Sequence, residues 1–61
     1  MLYFDGNKNL LNFNDYVNVK TDIGMYQGYI NSLQNGKVKV NCLAGEFRVS
    51  PDNVFLIAHI Q

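Results

Sequence analysis

The chain of 61 residues contains one cysteine, Cys42. An internal disulfide is therefore excluded. A zinc site built on cysteines is excluded too, because His59 is the only histidine that could join Cys42. Domains of this size commonly gain stability from disulfides, metals or partner subunits. With disulfides and a cysteine zinc site excluded, a compact core and self-association remain as sources of stability. A single thiol fits a reducing compartment, so we expect a cytoplasmic protein. No residue pattern indicates a cofactor site, so we expect no cofactor.

An excess of charge of one sign is also missing, because five basic and five acidic residues cancel. Strong non-specific DNA binders usually carry a net basic surface, so nucleic-acid binding would need a local patch here. No apolar run is long enough to cross a membrane, and no leader segment is visible. We expect one domain over residues 1–61, with residues 1–14 as an N-terminal arm or edge strand, and no membrane association.

What the chain does contain is period-two alternation, as in "YVNVK" from Tyr16 and "KVKVNC" from Lys37, which is typical of half-buried strands. Asn35-Gly36 lies between two such runs and favours a type I′ hairpin turn. Pairing Leu33 with Val38 across this turn requires a bulge near Ser32 to keep Ile30 in the core.

A second hairpin is predicted at Ala44-Gly45. This turn places Cys42 opposite Phe47 and Arg48 opposite Asn41, with the apolar residues of both strands on one face. The next strand ends at "SPDN", because proline cannot donate to a central ladder. One turn of 3-10 helix there, followed by a last strand in "NVFLIAHI", completes an all-β prediction.

These elements together resemble an SH3-like small barrel. In SH3 domains a proline, a small polar pair and an apolar strand form the break, as Pro51-Asp52-Asn53-Val54 does here. The resemblance covers roughly Asp15 to Ile57. It implies about five antiparallel strands with a 3-10 turn before the last one. SH3 domains hold proline-rich peptides with an aromatic set that includes tryptophan, which this chain lacks, so that activity is not implied.

Narrower resemblances point to particular barrel families. Asp15, Val17, Lys20 and Tyr26-Gln27-Gly28 match the start of the plasmid-encoded, trimethoprim-insensitive dihydrofolate reductases, which are tetramers with their site in a central pore. Their pore motif Val-Gln-Ile-Tyr is replaced by Phe47-Arg48-Val49-Ser50, so their activity is not implied either. "VNVKTDIGMYQGYI" and "DNVFLI" are similar to Sm-like motifs, and KOW and Tudor barrels fit the same pattern.

Basic residues supply the first candidate binding site. On the predicted register Lys37, Lys39 and Arg48 project outward, as does Lys20. A basic stripe on one sheet can hold phosphates. Alternating strands also place charges in water, and lysines on edges oppose aggregation. We favour this second interpretation.

Tyrosines supply the second candidate site, since the chain has four. Tyr26 and Tyr29 flank a bend expected at Gly28, and we predict that both are exposed. Tyrosine is enriched at protein interfaces and also stacks on bases. A third interpretation is that tyrosines simply suit strands.

Few residues of the chain are suited to catalysis, which predicts that the protein is not an enzyme. Cys42 is expected to be a buried small hydrophobe, and His59 a residue at a strand end. Glu46 is the only glutamate, and the aspartates show no paired spacing for acid–base chemistry. A site formed only between subunits, as the reductase resemblance allows, is the enzymatic alternative.

The sequence therefore predicts a small non-catalytic binding module that contacts a protein partner or further copies of itself. Phe55, in the apolar last strand, is the further candidate contact residue. The alternative is a nucleic-acid-binding barrel that uses the three basic residues and the exposed tyrosines. Abundant asparagine suggests an AT-rich gene, such as that of a phage or plasmid accessory protein.

Overall fold

The computed structural model describes residues 1–60, which form seven β-strands and one 3-10 turn. The strands are β1 (Tyr3–Phe4), β2 (Leu10–Leu11), β3 (Tyr16–Thr21), β4 (Gly24–Gln34), β5 (Lys37–Cys42), β6 (Gly45–Val49) and β7 (Val54–Ala58), and the 3-10 turn (Pro51–Asn53) precedes β7.

Five of the strands form one antiparallel sheet in the order β6-β5-β4-β3-β7, and β1 and β2 form a separate two-stranded sheet. The prediction of an all-β protein with about five antiparallel strands and a 3-10 turn before the last strand is confirmed. Within residues 1–60 no strand pairing joins β6 to β7, so these two strands are the edges of the large sheet.

The β4–β5 hairpin has the predicted turn and register. Asn35 and Gly36 both have positive φ, 57° and 74°, as a type I′ turn requires. Leu33 lies opposite Val38, and the register shifts between Ile30 and Ser32. This bulge returns Ile30 to the core, where only 1% of its surface is exposed.

The β5–β6 hairpin corrects the predicted register. Gly45 pairs with Cys42, so the turn consists of Leu43-Ala44 and not of Ala44-Gly45. Arg48 consequently lies opposite Lys39, two residues away from the predicted partner Asn41. The glycine, with φ 128°, begins the strand after the turn. The shift is an even number of residues, so the inward and outward faces stay as predicted.

The core is built mainly from β-branched residues on the inner face of the large sheet. Its members from the large sheet have at most 1% of their surface exposed: Val17, Val19, Ile30, Val38, Val40 and Val54. Branched side chains are stiff and pack well on a pleated surface. Tyr3 and Leu11 of the small sheet complete this cluster.

The N-terminal hairpin, residues 1–11, covers the edge of β7. The Gly6 N–H donates to the Val54 carbonyl at 2.9 Å, and the Leu56 N–H donates to the Asp5 carboxylate at 2.6 Å. The buried Tyr3 hydroxyl accepts from the Gly36 N–H at 3.0 Å and so ties this hairpin to the β4–β5 turn. The edge of β7 is therefore occupied, whereas no ladder or hairpin within residues 1–60 covers the edge of β6.

Candidate functional site

An open cleft of about 720 Å³ lies where β3 and β4 approach the β5–β6 turn. Its apolar wall contains Tyr16, Met25, Tyr26, Tyr29 and Leu43. We call this site the tyrosine cleft. Three of its apolar members are exposed: 47% for Tyr29, 56% for Met25 and 108% for Leu43. Exposed apolar side chains grouped around one cleft make it the candidate interaction site of this surface.

Gly28 marks a close approach of the backbones of β4 and β5 beside the two predicted tyrosines. It lies in the cleft between Tyr26 and Tyr29 and pairs with Cys42. A Cβ at this position would overlap the Asn41 carbonyl oxygen and lie 2.9 Å from the Cys42 Sγ. The missing side chain lets β4 and β5 approach closely.

The aromatic rings of the cleft are held in place by neighbours. Tyr16 and Tyr29 pack with their centroids 5.0 Å apart at 46°, and the Tyr16 hydroxyl donates to Gln27 Oε1 at 3.1 Å. Tyr26 packs on Phe47 at 5.0 Å and is half-buried, so it is less exposed than predicted. Tilted ring pairs at this distance are mutually stabilising. Rings held by such contacts lose little further side-chain entropy when a ligand binds.

The predicted basic residues are brought together in a second, smaller cleft of about 220 Å³. Lys39 lies between Ser32 and Arg48 on the neighbouring strands, and Lys37 lies opposite Gln34. The residues that line it include no carboxylate. We call this site the basic cleft. Lys20 is not part of it, because it pairs with Met25 towards the other end of β4.

Phe55 lines neither the tyrosine cleft nor the basic cleft. It is half-buried, and its Cε1 would lie 2.5 Å from a Cβ at Gly6, so the ring packs against the N-terminal hairpin. A role for Phe55 in binding a partner stays a prediction.

A long-range pair that sequence reasoning missed joins Asp15 to His59. The Asp15 carboxylate is 1% exposed, accepts the Asn12 N–H at 2.8 Å and lies 2.9 Å from His59 Nδ1. The contact attaches the segment just after β7 to the residue that precedes β3. The two residues are 44 positions apart, and no local pattern announces such a contact.

Cys42 is half-buried rather than buried as predicted, and burial raises the pKa of its thiol. A thiol with a raised pKa is less available as a thiolate nucleophile. Within residues 1–60 no three histidine, cysteine, aspartate or glutamate side chains gather as a metal-binding group. No helix in this part of the chain is long and apolar enough to span a membrane.

Comparison with protein-family models, with curated proteins and with solved structures gives no significant match for this chain.

Proposed function

We propose that this chain is a small non-catalytic module of SH3-like architecture that binds an extended segment of another protein in the tyrosine cleft. The observation that carries the proposal is the exposure of Tyr29, Met25 and Leu43 around one open cleft. Rigid aromatic rings provide large contact area at a small cost in side-chain entropy. The free thiol of Cys42 supports a cytoplasmic location for this module.

The polar groups of the cleft suit a polypeptide ligand. Asn18, Gln27 and Asn41 line the cleft beside the tyrosines. Side-chain amides offer both donors and acceptors, which match the N–H and C=O groups of an extended backbone. The apolar wall would receive the side chains of that segment, and the amides would fix its direction.

Replacing Tyr29 by alanine is expected to weaken peptide binding at least about tenfold, because contacts of a central tyrosine commonly contribute ~1–2 kcal/mol or more. The measurement is selection of a random peptide library on the immobilised protein, followed by calorimetric titration of the enriched peptides with both forms. Amide chemical shifts of the complex would locate each peptide on the surface.

The matched control for that titration is Lys37→Ala, an exposed change in the basic cleft that should leave peptide affinity unchanged. The proposal fails if no peptide is enriched. It also fails if the enriched peptides shift amides away from the cleft, or if they bind Tyr29→Ala as tightly as the original chain.

The second candidate function is nucleic-acid binding, and the basic cleft favours it. Lys37, Lys39 and Arg48 converge from neighbouring strands without a carboxylate among the lining residues. Tyr29 precedes this cleft on β4 and is exposed for base stacking. Three cations without a net basic surface support only modest affinity.

If the second function holds, Lys39→Ala will reduce affinity for single-stranded DNA or RNA about threefold to tenfold and flatten its salt dependence. Each lost phosphate contact lowers the slope of log K against log salt by ~0.7 for single strands. Fluorescence anisotropy across a salt series measures both quantities. Lys20→Ala removes the same charge outside the cleft and should have little effect. An equal effect of both variants, or no binding at low salt, would exclude this function.

A further inference from the structure

The free edge of β6 presents unpaired backbone groups in a defined pattern. Cys42 and Gly45 close the two-residue hairpin, so they form a hydrogen-bonded pair. Antiparallel ladders alternate, so Phe47 and Val49 also bond to β5. The N–H and C=O groups of Glu46 and Arg48 therefore point away from the sheet.

The side chains along this edge are complementary to the same edge of a second copy of the chain. Glu46 and Arg48 are both exposed, lie on the outer face and carry opposite charges on either side of Phe47. Edge strands are commonly protected by charged side chains, especially lysine, by proline or by a bulge, but the two charges of β6 have opposite signs and can pair with each other across a two-fold contact. Within β6, "GEFRV", the ladder with β5 runs without a register shift, and the strand contains neither lysine nor proline.

We propose that β6 pairs antiparallel with β6 of a second copy of this chain, about a two-fold axis at Phe47. Glu46 of one copy then lies opposite Arg48 of the other. All four outward N–H and C=O groups of each edge are satisfied, with four backbone hydrogen bonds in total. Each Glu–Arg pair meets on the outer face at a hydrogen-bonded position, and the two Phe47 residues face each other on the inner face.

The rest of the structure favours a second copy paired in this way over a head-to-tail chain. Pairing of β6 with β7 of a neighbour would need the β7 edge, which the N-terminal hairpin occupies through Gly6 and Asp5. A two-fold contact uses the same patch twice and closes without further growth. Glu46 also accepts from Asn31 Nδ2 at 3.2 Å, and a carboxylate has acceptor sites for both partners.

This inference does not rest on the tyrosine cleft, because none of the residues that line that cleft belongs to β6. One added strand pair makes a small interface, so the dimer is expected to form at concentrations between about 10 µM and about 1 mM. Sedimentation or light scattering over that range measures it. Chemical-shift dispersion of each variant verifies its fold.

The decisive variants exchange the charges. Glu46→Arg alone and Arg48→Glu alone put like charges opposite each other twice, so each should weaken dimerisation at least about tenfold. The double variant restores complementarity and should regain the dimer. Lys20→Glu changes the net charge as much as Arg48→Glu does, but at an exposed position of β3 far from the β6 edge, and should dimerise normally.

Hydrogen exchange supplies the structural readout. The Glu46 and Arg48 amides should become protected as the protein concentration rises, while the amides already bonded to β5 change little. A monomer across the whole range would overturn the proposal and leave the edge to a strand of another protein. A dimer that tolerates both single exchanges, a double variant that stays monomeric, or unchanged exchange at Glu46 and Arg48 would each overturn it as well.

Discussion

Replacing Asp5 by alanine should destabilise the protein by about 3 kcal/mol or more, because three backbone N–H groups would lose their acceptor at ~1–3 kcal/mol each. The carboxylate is 3% exposed. Its Oδ1 accepts the N–H groups of Asn7 at 2.9 Å and Asn9 at 2.7 Å, and its Oδ2 accepts the Leu56 N–H at 2.6 Å. A domain of this length has a total stability of roughly 3–9 kcal/mol, so much of the variant would be unfolded.

Acid should remove the part of this contribution that depends on the charge of the carboxylate. Burial alone would raise the pKa of Asp5, but hydrogen bonds from Leu56, Asn9 and Asn7 stabilise the carboxylate and hold its pKa below the ordinary value of 3.8. Because the folded-state pKa is the lower one, the stabilisation is complete well above pH 3.8. It shrinks as the pH falls below that value and is lost once the pH passes the folded-state pKa.

Urea unfolding followed by circular dichroism tests both statements. At pH 7 the stability difference between the original chain and Asp5→Ala should be large, and it should narrow through the acid range. Asp22→Ala, an exposed change in a turn, is the control and should stay within about 0.5 kcal/mol. A cost for Asp5→Ala no larger than that of the control, or a difference that does not narrow in acid, would contradict the account of Asp5.

Local sequence patterns were sufficient for the β4–β5 hairpin and insufficient for the β5–β6 hairpin. Asn35-Gly36 specifies a turn type, and the need to keep Ile30 inside specifies the bulge. For the β5–β6 hairpin, the period-two alternation was the only signal from which the register could be predicted. A pattern of period two cannot distinguish pairings that differ by two residues, so it does not decide between Asn41 and the observed partner Lys39 for Arg48.

The contacts that hold the N-terminal hairpin have no local signature. Asp5 and Leu56 are 51 residues apart, so no local pattern relates the two residues. For the candidate sites, the basic cleft follows from strand alternation, because Lys37, Lys39 and Arg48 had to share a face. The half-burial of Tyr26 could not be predicted from local sequence, because it results from packing on Phe47, which joins β4 to β6, two strands apart in the sheet.

Gly28→Ala is expected to cost more than about 3 kcal/mol and to leave the chain largely unfolded. The new Cβ would overlap the Asn41 carbonyl oxygen and lie 2.8 Å from the carbon of that carbonyl. Both atoms belong to the backbone of β5 in the middle of the sheet. They can move only if β4 and β5 separate, which would also disturb the neighbouring pair of Ile30 and Val40. Thermal and urea unfolding measure the loss.

Gly24→Ala is the control for the steric argument. A Cβ at Gly24 meets no atom within 4 Å, although φ is 141°. That substitution introduces backbone strain without a clash and should cost about 1–2 kcal/mol. If Gly24→Ala costs as much as Gly28→Ala, backbone conformation rather than close approach would explain the glycines of β4.

A double variant distinguishes the steric effect of the Asn41 carbonyl from that of the Cys42 thiol, the two groups that a Cβ at Gly28 would meet. The Cys42 Sγ, at 2.9 Å, is a side-chain atom that Cys42→Ala removes, whereas the Asn41 carbonyl stays. If the carbonyl is the barrier, Gly28→Ala combined with Cys42→Ala should remain as unstable as Gly28→Ala alone. Recovery of stability in the double variant would show that the thiol limits the space. Without such recovery, the close approach of β4 and β5 that shapes the tyrosine cleft requires glycine at position 28.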